Sequence, residues 1–111
     1  MKIRPITVIS LLIAILILVF SHSIASNSAG AVVSVSESGF SPDYVEVQVG
    51  QSVTWINQGS NEHWPASNFH PTHTAYPGSG IEKCGTSDES GILDACHGLK
   101  PDEKYTFALT K

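Results

Sequence analysis

Between residues 31 and 111 the apolar positions alternate with polar ones in four separate runs, the period-two signature of half-buried strands. In Val32-Val33-Ser34-Val35-Ser36-Glu37, Val33 and Val35 share one face and the serines take the other. Tyr44-Val45-Glu46-Val47-Gln48-Val49 alternates without error, which sends Val45, Val47 and Val49 inward and Glu46 and Gln48 outward. Ser52-Val53-Thr54-Trp55-Ile56-Asn57 is β-branched and aromatic, with Val53 and Trp55 on one face. The fourth run, Lys104 to Thr110, sets Tyr105, Phe107 and Leu109 together. Turn-forming residues punctuate these runs at Ser38 to Asp43, Gly50-Gln51 and Leu99 to Glu103, and Phe40, alone among polar neighbours, is expected to plug the core. Thr74 to Glu89, rich in Gly, Ser and Pro, reads as loop, and Ser90 to Ala95 suits a single helical turn. The pattern predicts an all-β domain.

A different pattern precedes it. Lys2 and Arg4 lead into an apolar run from Ile6 to Phe20, interrupted only by Thr7 and Ser10, and Ser23 and Ala25 supply the small residues of a cleavage site. Residues 1–25 therefore read as a signal peptide. The run is shorter than the roughly 20 apolar residues that span a bilayer, and an uncleaved N-terminal anchor is the alternative. Residues 26–30 form a polar linker, and 31–111 form the domain. Export implies a periplasmic or extracellular protein that meets a membrane only through its N-terminal segment. Without residues 1–25 the chain keeps four lysines against ten acidic residues, a net charge of −6. That balance argues against a nucleic-acid partner, whose phosphates need Lys and Arg.

The candidate chemistry lies just after the third run, where His63, His70 and His73 fall within eleven residues. Imidazole is the commonest protein ligand for metals, so this loop is a candidate metal site, although Pro71 excludes the two-histidine helical motif of metalloproteases. A ligating histidine needs its other ring nitrogen oriented by a partner, for which Asn57, Glu62 or a backbone carbonyl would serve. Cys84 and Cys96 close a ring of thirteen residues and, in an exported chain, read first as a disulfide. A Cys96-His97 thiolate and imidazole pair is the competing assignment. No Ser-His-Asp set or paired carboxylates stand out, so no enzymatic activity is expected.

The order of these pieces resembles the cupredoxins, secreted β-sandwiches of the plastocyanin kind. The resemblance is carried by Gly39-Phe40-Ser41-Pro42, by Val45 to Asn57 with a histidine six residues on, and by Leu99-Lys100-Pro101 leading into Tyr105-Thr106-Phe107. Its implied fold is a Greek-key β-sandwich. In that family the histidine after the Trp-x-Asn strand is the first copper ligand, a role that falls on His63, while a Cys, a His and a Met follow the last strand. The chain ends at Lys111, where that late segment would begin, so the resemblance implies a sandwich and a copper site incomplete at the C-terminus and a gene that continues. His63-Trp64-Pro65-Ala66-Ser67 with His70-Pro71-Thr72-His73 is similar to a bacterial subgroup whose late segment carries a His-x-His pair in place of the Cys. A thiolate with two imidazoles suits electron transfer, whereas imidazoles alone favour Cu(II) or zinc and suit holding a metal.

The expected function is that of an exported copper-binding protein, in electron transfer with a redox partner protein or in copper handling. Its metal residues are His63 first, then His70 and His73. The rival reading is a metal-free secreted β-sandwich that works as a binding or structural module through Trp64, Phe69 and Tyr76.

Overall fold

The computed structural model describes residues 30–111, and the segment read as a signal peptide and most of the polar linker lie outside the described residues. β1 (Ala31–Ser36), β2 (Gly39–Ser41), β3 (Ser52–Asn57) and β4 (Lys104–Ala108) form one open mixed sheet in the order β2-β1-β3-β4. β1 and β3 run parallel, with Val33 beside Trp55, and the outer pairs are antiparallel. A tight turn at Glu37-Ser38 joins β1 to β2 and delivers the chain to Gly39 at φ 101°, a conformation that glycine adopts without a Cβ clash.

Alternation does its expected work in three of the four runs. Val33, Val35, Val53 and Phe107 are buried on one face of the sheet, and Ile92, Ala95 and Leu99 from the long β3–β4 connection are buried as well. The opposite face carries Thr54 and Thr106, whose hydroxyls meet at 2.9 Å across the strands. Trp55 shares the face of Val53 but is only half-buried, lying flat on its cross-strand partner Tyr105 at 5.5 Å between ring centroids.

Two expectations fail. Tyr44 to Val49 pairs with no strand among the described residues: Val45 and Val47 are half-buried, whereas Tyr44 and Val49 are exposed. Alternation specifies which face of an extended segment is apolar, but ladder hydrogen bonds need a neighbouring strand, and here none lies alongside. Phe40, expected in the core, is likewise exposed. The β-rich class holds, as a single sheet covered on one face by irregular chain.

That irregular chain is laced down by its own backbone. Residues 63–67 run antiparallel to 93–99, with Leu99 N–H donating to the His63 carbonyl at 2.7 Å, Ser67 N–H to the Leu93 carbonyl at 2.7 Å and Ala95 N–H to the Pro65 carbonyl at 2.9 Å. Two short 3-10 turns, Ile81–Lys83 and Glu89–Gly91, lie between, so the anticipated helical turn at Ser90 to Ala95 is replaced by a bridge between Ala66 and Asp94. The disulfide between Cys84 and Cys96 crosslinks this region. Asn57 fastens it to the end of β3: its fully buried amide donates to the carbonyls of Leu99 at 2.7 Å and Asn61 at 2.8 Å and accepts from Gly59 N–H at 2.9 Å.

Removing that amide leaves buried backbone groups unpaired, each costing about 1–3 kcal/mol. Asn57→Ala should therefore lower unfolding free energy by about 2–4 kcal/mol in urea titrations, part of the lost bonding being recovered by water. A loss below about 0.5 kcal/mol, the ordinary range of surface changes, would show that Asn57 does not hold the connection.

Candidate functional site

The histidine loop is anchored at its start by Glu37, whose position in the β1–β2 turn lets it collect donors from the chain leaving β3. Its Oε1 accepts from the Asn61 N–H at 2.9 Å, the Ser60 N–H at 2.8 Å and the side chains of both residues at 3.2 Å. These donors, led by the Asn61 N–H, favour the ionised form and hold the carboxyl down at about 2. His63 stands beside it with Nε2 3.5 Å from Oε1, beyond hydrogen-bond geometry. That nitrogen is the buried side-chain polar atom without a hydrogen-bond partner among the described residues.

Farther along, the 63–67 and 93–99 ribbon brings Asp94 under the loop. The Asp94 side chain is fully buried, and its carboxylate gathers three donors. Oδ1 accepts from the Trp64 indole at 2.6 Å and from the Cys96 N–H at 2.8 Å, while Oδ2 meets His73 Nδ1 at 2.7 Å. The Asp94 N–H donates to the Tyr105 hydroxyl at 3.0 Å, which donates in turn to the Ile92 carbonyl at 3.2 Å, so β4 also braces the site. The carboxylate requires a proton on Nδ1 of His73 and thereby leaves Nε2 as the nitrogen available to a ligand.

Local backbone fixes the ring. Phe69 and His73 both adopt positive φ, at 66° and 58°, a region that non-glycine residues enter at a cost and that clusters at functional sites. The turn is closed by Thr72 Oγ1 donating to the Phe69 carbonyl at 3.1 Å, and the Asn68 and Thr72 carbonyls accept from Ala75 and Ile81. Within it the exposed His70 ring lies over His73 at 5.9 Å between centroids, and the Trp64 ring meets His73 edge-on at 5.8 Å. His70, His73, Trp64, Phe40 and Asn68 line an open groove of about 490 Å³.

The three candidate histidines thus fall into two places. His70 and His73 share the groove, while His63 sits against Glu37, and among the described residues the three rings do not form one coordinating cluster. The orienting partner of His73 is Asp94, not Asn57 or Glu62. Asn57 spends its amide on backbone, and Asp94 lies 21 residues downstream of His73 in a segment read as a helical turn, so linear spacing carried no sign of it. The usable clue was Asp94-Ala95-Cys96, since an Asp two residues before an N–H readily folds back onto it as an Asx turn.

Cys96 and His97 do not form a ligand pair. The sulfur is in the disulfide, and His97 turns to the surface, bonding the Ala95 carbonyl through Nδ1 at 2.8 Å and Glu103 through Nε2 at 2.7 Å. The Glu103 carboxylate raises the His97 imidazole above its ordinary value and is itself lowered by it. Tyr76, assigned by sequence to an exposed surface, is structural: its hydroxyl accepts from Thr110 and Lys111 N–H at 3.1 and 3.0 Å, and its ring meets Phe107 edge-on.

Glu37 generates a pH prediction. Its folded value is depressed from 4.5 to about 2, so its contribution to stability is complete above pH 4.5 and disappears as pH falls through about 2. Glu37→Gln should lower the melting temperature at neutral pH, and the gap to wild type should close across that acid window in a series of thermal melts. A gap that stays constant down to pH 2 would show that Glu37 is not held ionised by the loop.

No family model, curated protein or solved structure matches the chain.

Proposed function

We propose that this is an exported, cupredoxin-like copper-binding protein that holds Cu(II), with zinc as the competing ion, through the imidazoles of the 63–73 loop. The observation that carries the reading is the buried Asp94 carboxylate 2.7 Å from His73 Nδ1, with a second histidine, His70, stacked on the same ring. Carboxylate, histidine and metal in series is the recurrent way in which proteins fix a ligating ring and raise its basicity.

The donor set fits an imidazole-binding metal. With a metal–nitrogen bond of about 2.0–2.1 Å a ring centroid lies roughly 3 Å from the ion, so two rings on one ion stand at most about 6 Å apart. The 5.9 Å between His70 and His73 is at that limit, which applies to rings pointing at each other; the two rings are stacked, so closing on one ion asks the exposed His70 side chain to swing off the face of His73 toward its ring edge. Both cysteines of the chain are joined to each other, which leaves no thiolate for a blue-copper trigonal set in the oxidised protein. Holding or handing on the metal is therefore favoured over rapid electron transfer. His63, at the position of the first cupredoxin ligand, has a buried Nε2 without a hydrogen-bond partner among the described residues, 3.5 Å from the Glu37 carboxylate.

A second reading has its own observation. Phe40 and Trp64 are exposed and line the same groove, and Phe69 is exposed as well, as a metal-free binding module would have them.

Calorimetric titration of the oxidised protein with Cu²⁺ or Zn²⁺ separates the two. Binding of about one ion per chain is expected, weakened at least about ten-fold in His70→Ala, His73→Ala and Asp94→Asn. Absence of binding, or binding indifferent to His70 and His73, would remove the metal reading and leave the binding module.

A further inference from the structure

Asp94 has a second set of neighbours. One of its carboxylate oxygens and the sulfurs of Cys84 and Cys96 all lie within 4.8 Å of one another, and both cysteines are half-buried. While the disulfide is closed these sulfurs carry no charge and the cluster ligates nothing. We propose that reduction of the Cys84–Cys96 disulfide converts it into a soft-metal site of two thiolates and the Asp94 carboxylate, taking Cu(I), Zn²⁺ or Cd²⁺. This site does not rest on metal binding at His70 and His73, but it shares Asp94 with them, since Asp94 Oδ2 also meets His73 Nδ1.

The donor types fit. Paired thiolates select thiophilic ions, and a three-residue set leaves a fourth tetrahedral position to water or an incoming ligand. A carboxylate offers about four lone-pair directions, and the bonds from Trp64, Cys96 N–H and His73 use three. One direction remains for a cation. Cys96 is held at φ 61° by its N–H bond to Asp94 Oδ1, so its place beside the carboxylate is set by the backbone as well as by the crosslink.

The chemistry balances with an external dithiol as reductant. Two electrons and two protons pass to the sulfurs of Cys84 and Cys96 and cleave their bond, and the reductant leaves as its own disulfide. Metal binding then displaces the two thiol protons to solvent. A divalent ion with two thiolates and one carboxylate bears a net charge of −1, offset by the donors that already surround Asp94.

Cadmium is the suitable probe because it does not oxidise thiols and its thiolates absorb in the near ultraviolet. The full chain is reduced, freed of reductant without oxygen and titrated with Cd²⁺. One ion per chain with a thiolate-to-cadmium band is expected, absent from the oxidised protein and from Cys84→Ser. Asp94→Asn should weaken binding at least about ten-fold, and reduced His70→Ala should keep the band whether or not it holds Cu²⁺ or Zn²⁺ when oxidised. Where reduction unfolds the chain, Cd²⁺ should restore the folded far-ultraviolet dichroism. No band in the reduced chain, equal affinity in Asp94→Asn, or equal affinity in denaturing urea would overturn the proposal, the last because two thiolates of an unfolded chain would then suffice.

Discussion

Everything distinctive about this molecule passes through the carboxylate of Asp94. An isolated carboxylate removed from water is penalised by several kcal/mol, and it is tolerated only where donors replace the lost hydration. Here the donors come from three directions: the Trp64 indole, the His73 imidazole and the Cys96 backbone. Because each belongs to a different stretch of the β3–β4 connection, the demand of one buried charge for partners gathers the loop, the disulfide and the aromatic rim of the groove at one point. The connection needs such a fastening, since it has almost no regular structure between Asn57 and Lys104.

The sheet sets the stage on which this is possible. β1, β3 and β4 offer one apolar face, and the chain covers it with Ile92, Ala95 and Leu99 from the connection itself. Irregular backbone laid over a core must find partners for its own N–H and C=O groups. It finds them in the 63–67 and 93–99 ribbon, in Asn57 and in Glu37. The hydrogen bonds that satisfy the backbone are also those that aim the histidines, so stability and site geometry rest on the same residues.

This explains what was legible in the sequence. The strands of Val33, Val53 and Phe107 announce themselves because burial on one face imposes period two, and the disulfide was expected from an even cysteine count in a chain read as exported. The run from Tyr44 to Val49 has the same period without a neighbour to pair with, which no local pattern can reveal. His70 and His73 were visible as ligand types at a suggestive spacing. Their division from His63, and the role of Asp94, depend on long-range backbone pairing, to which period and spacing are blind. Phe40 erred for a related reason: a lone aromatic in a turn is plausible both as core plug and as groove rim, and only the third dimension decides.

Asp94 fixes His73 with Nδ1 protonated, which makes Nε2 the nitrogen that a ligand would meet. Long-range proton–nitrogen correlation spectra of the imidazole rings in the oxidised protein at neutral pH test it directly. A single Nδ1–H form is expected for His73, with a bare Nε2 whose nitrogen resonance moves on addition of Zn²⁺. An Nε2–H form for His73, or an Nε2 resonance unmoved by Zn²⁺ while another ring responds, would contradict it.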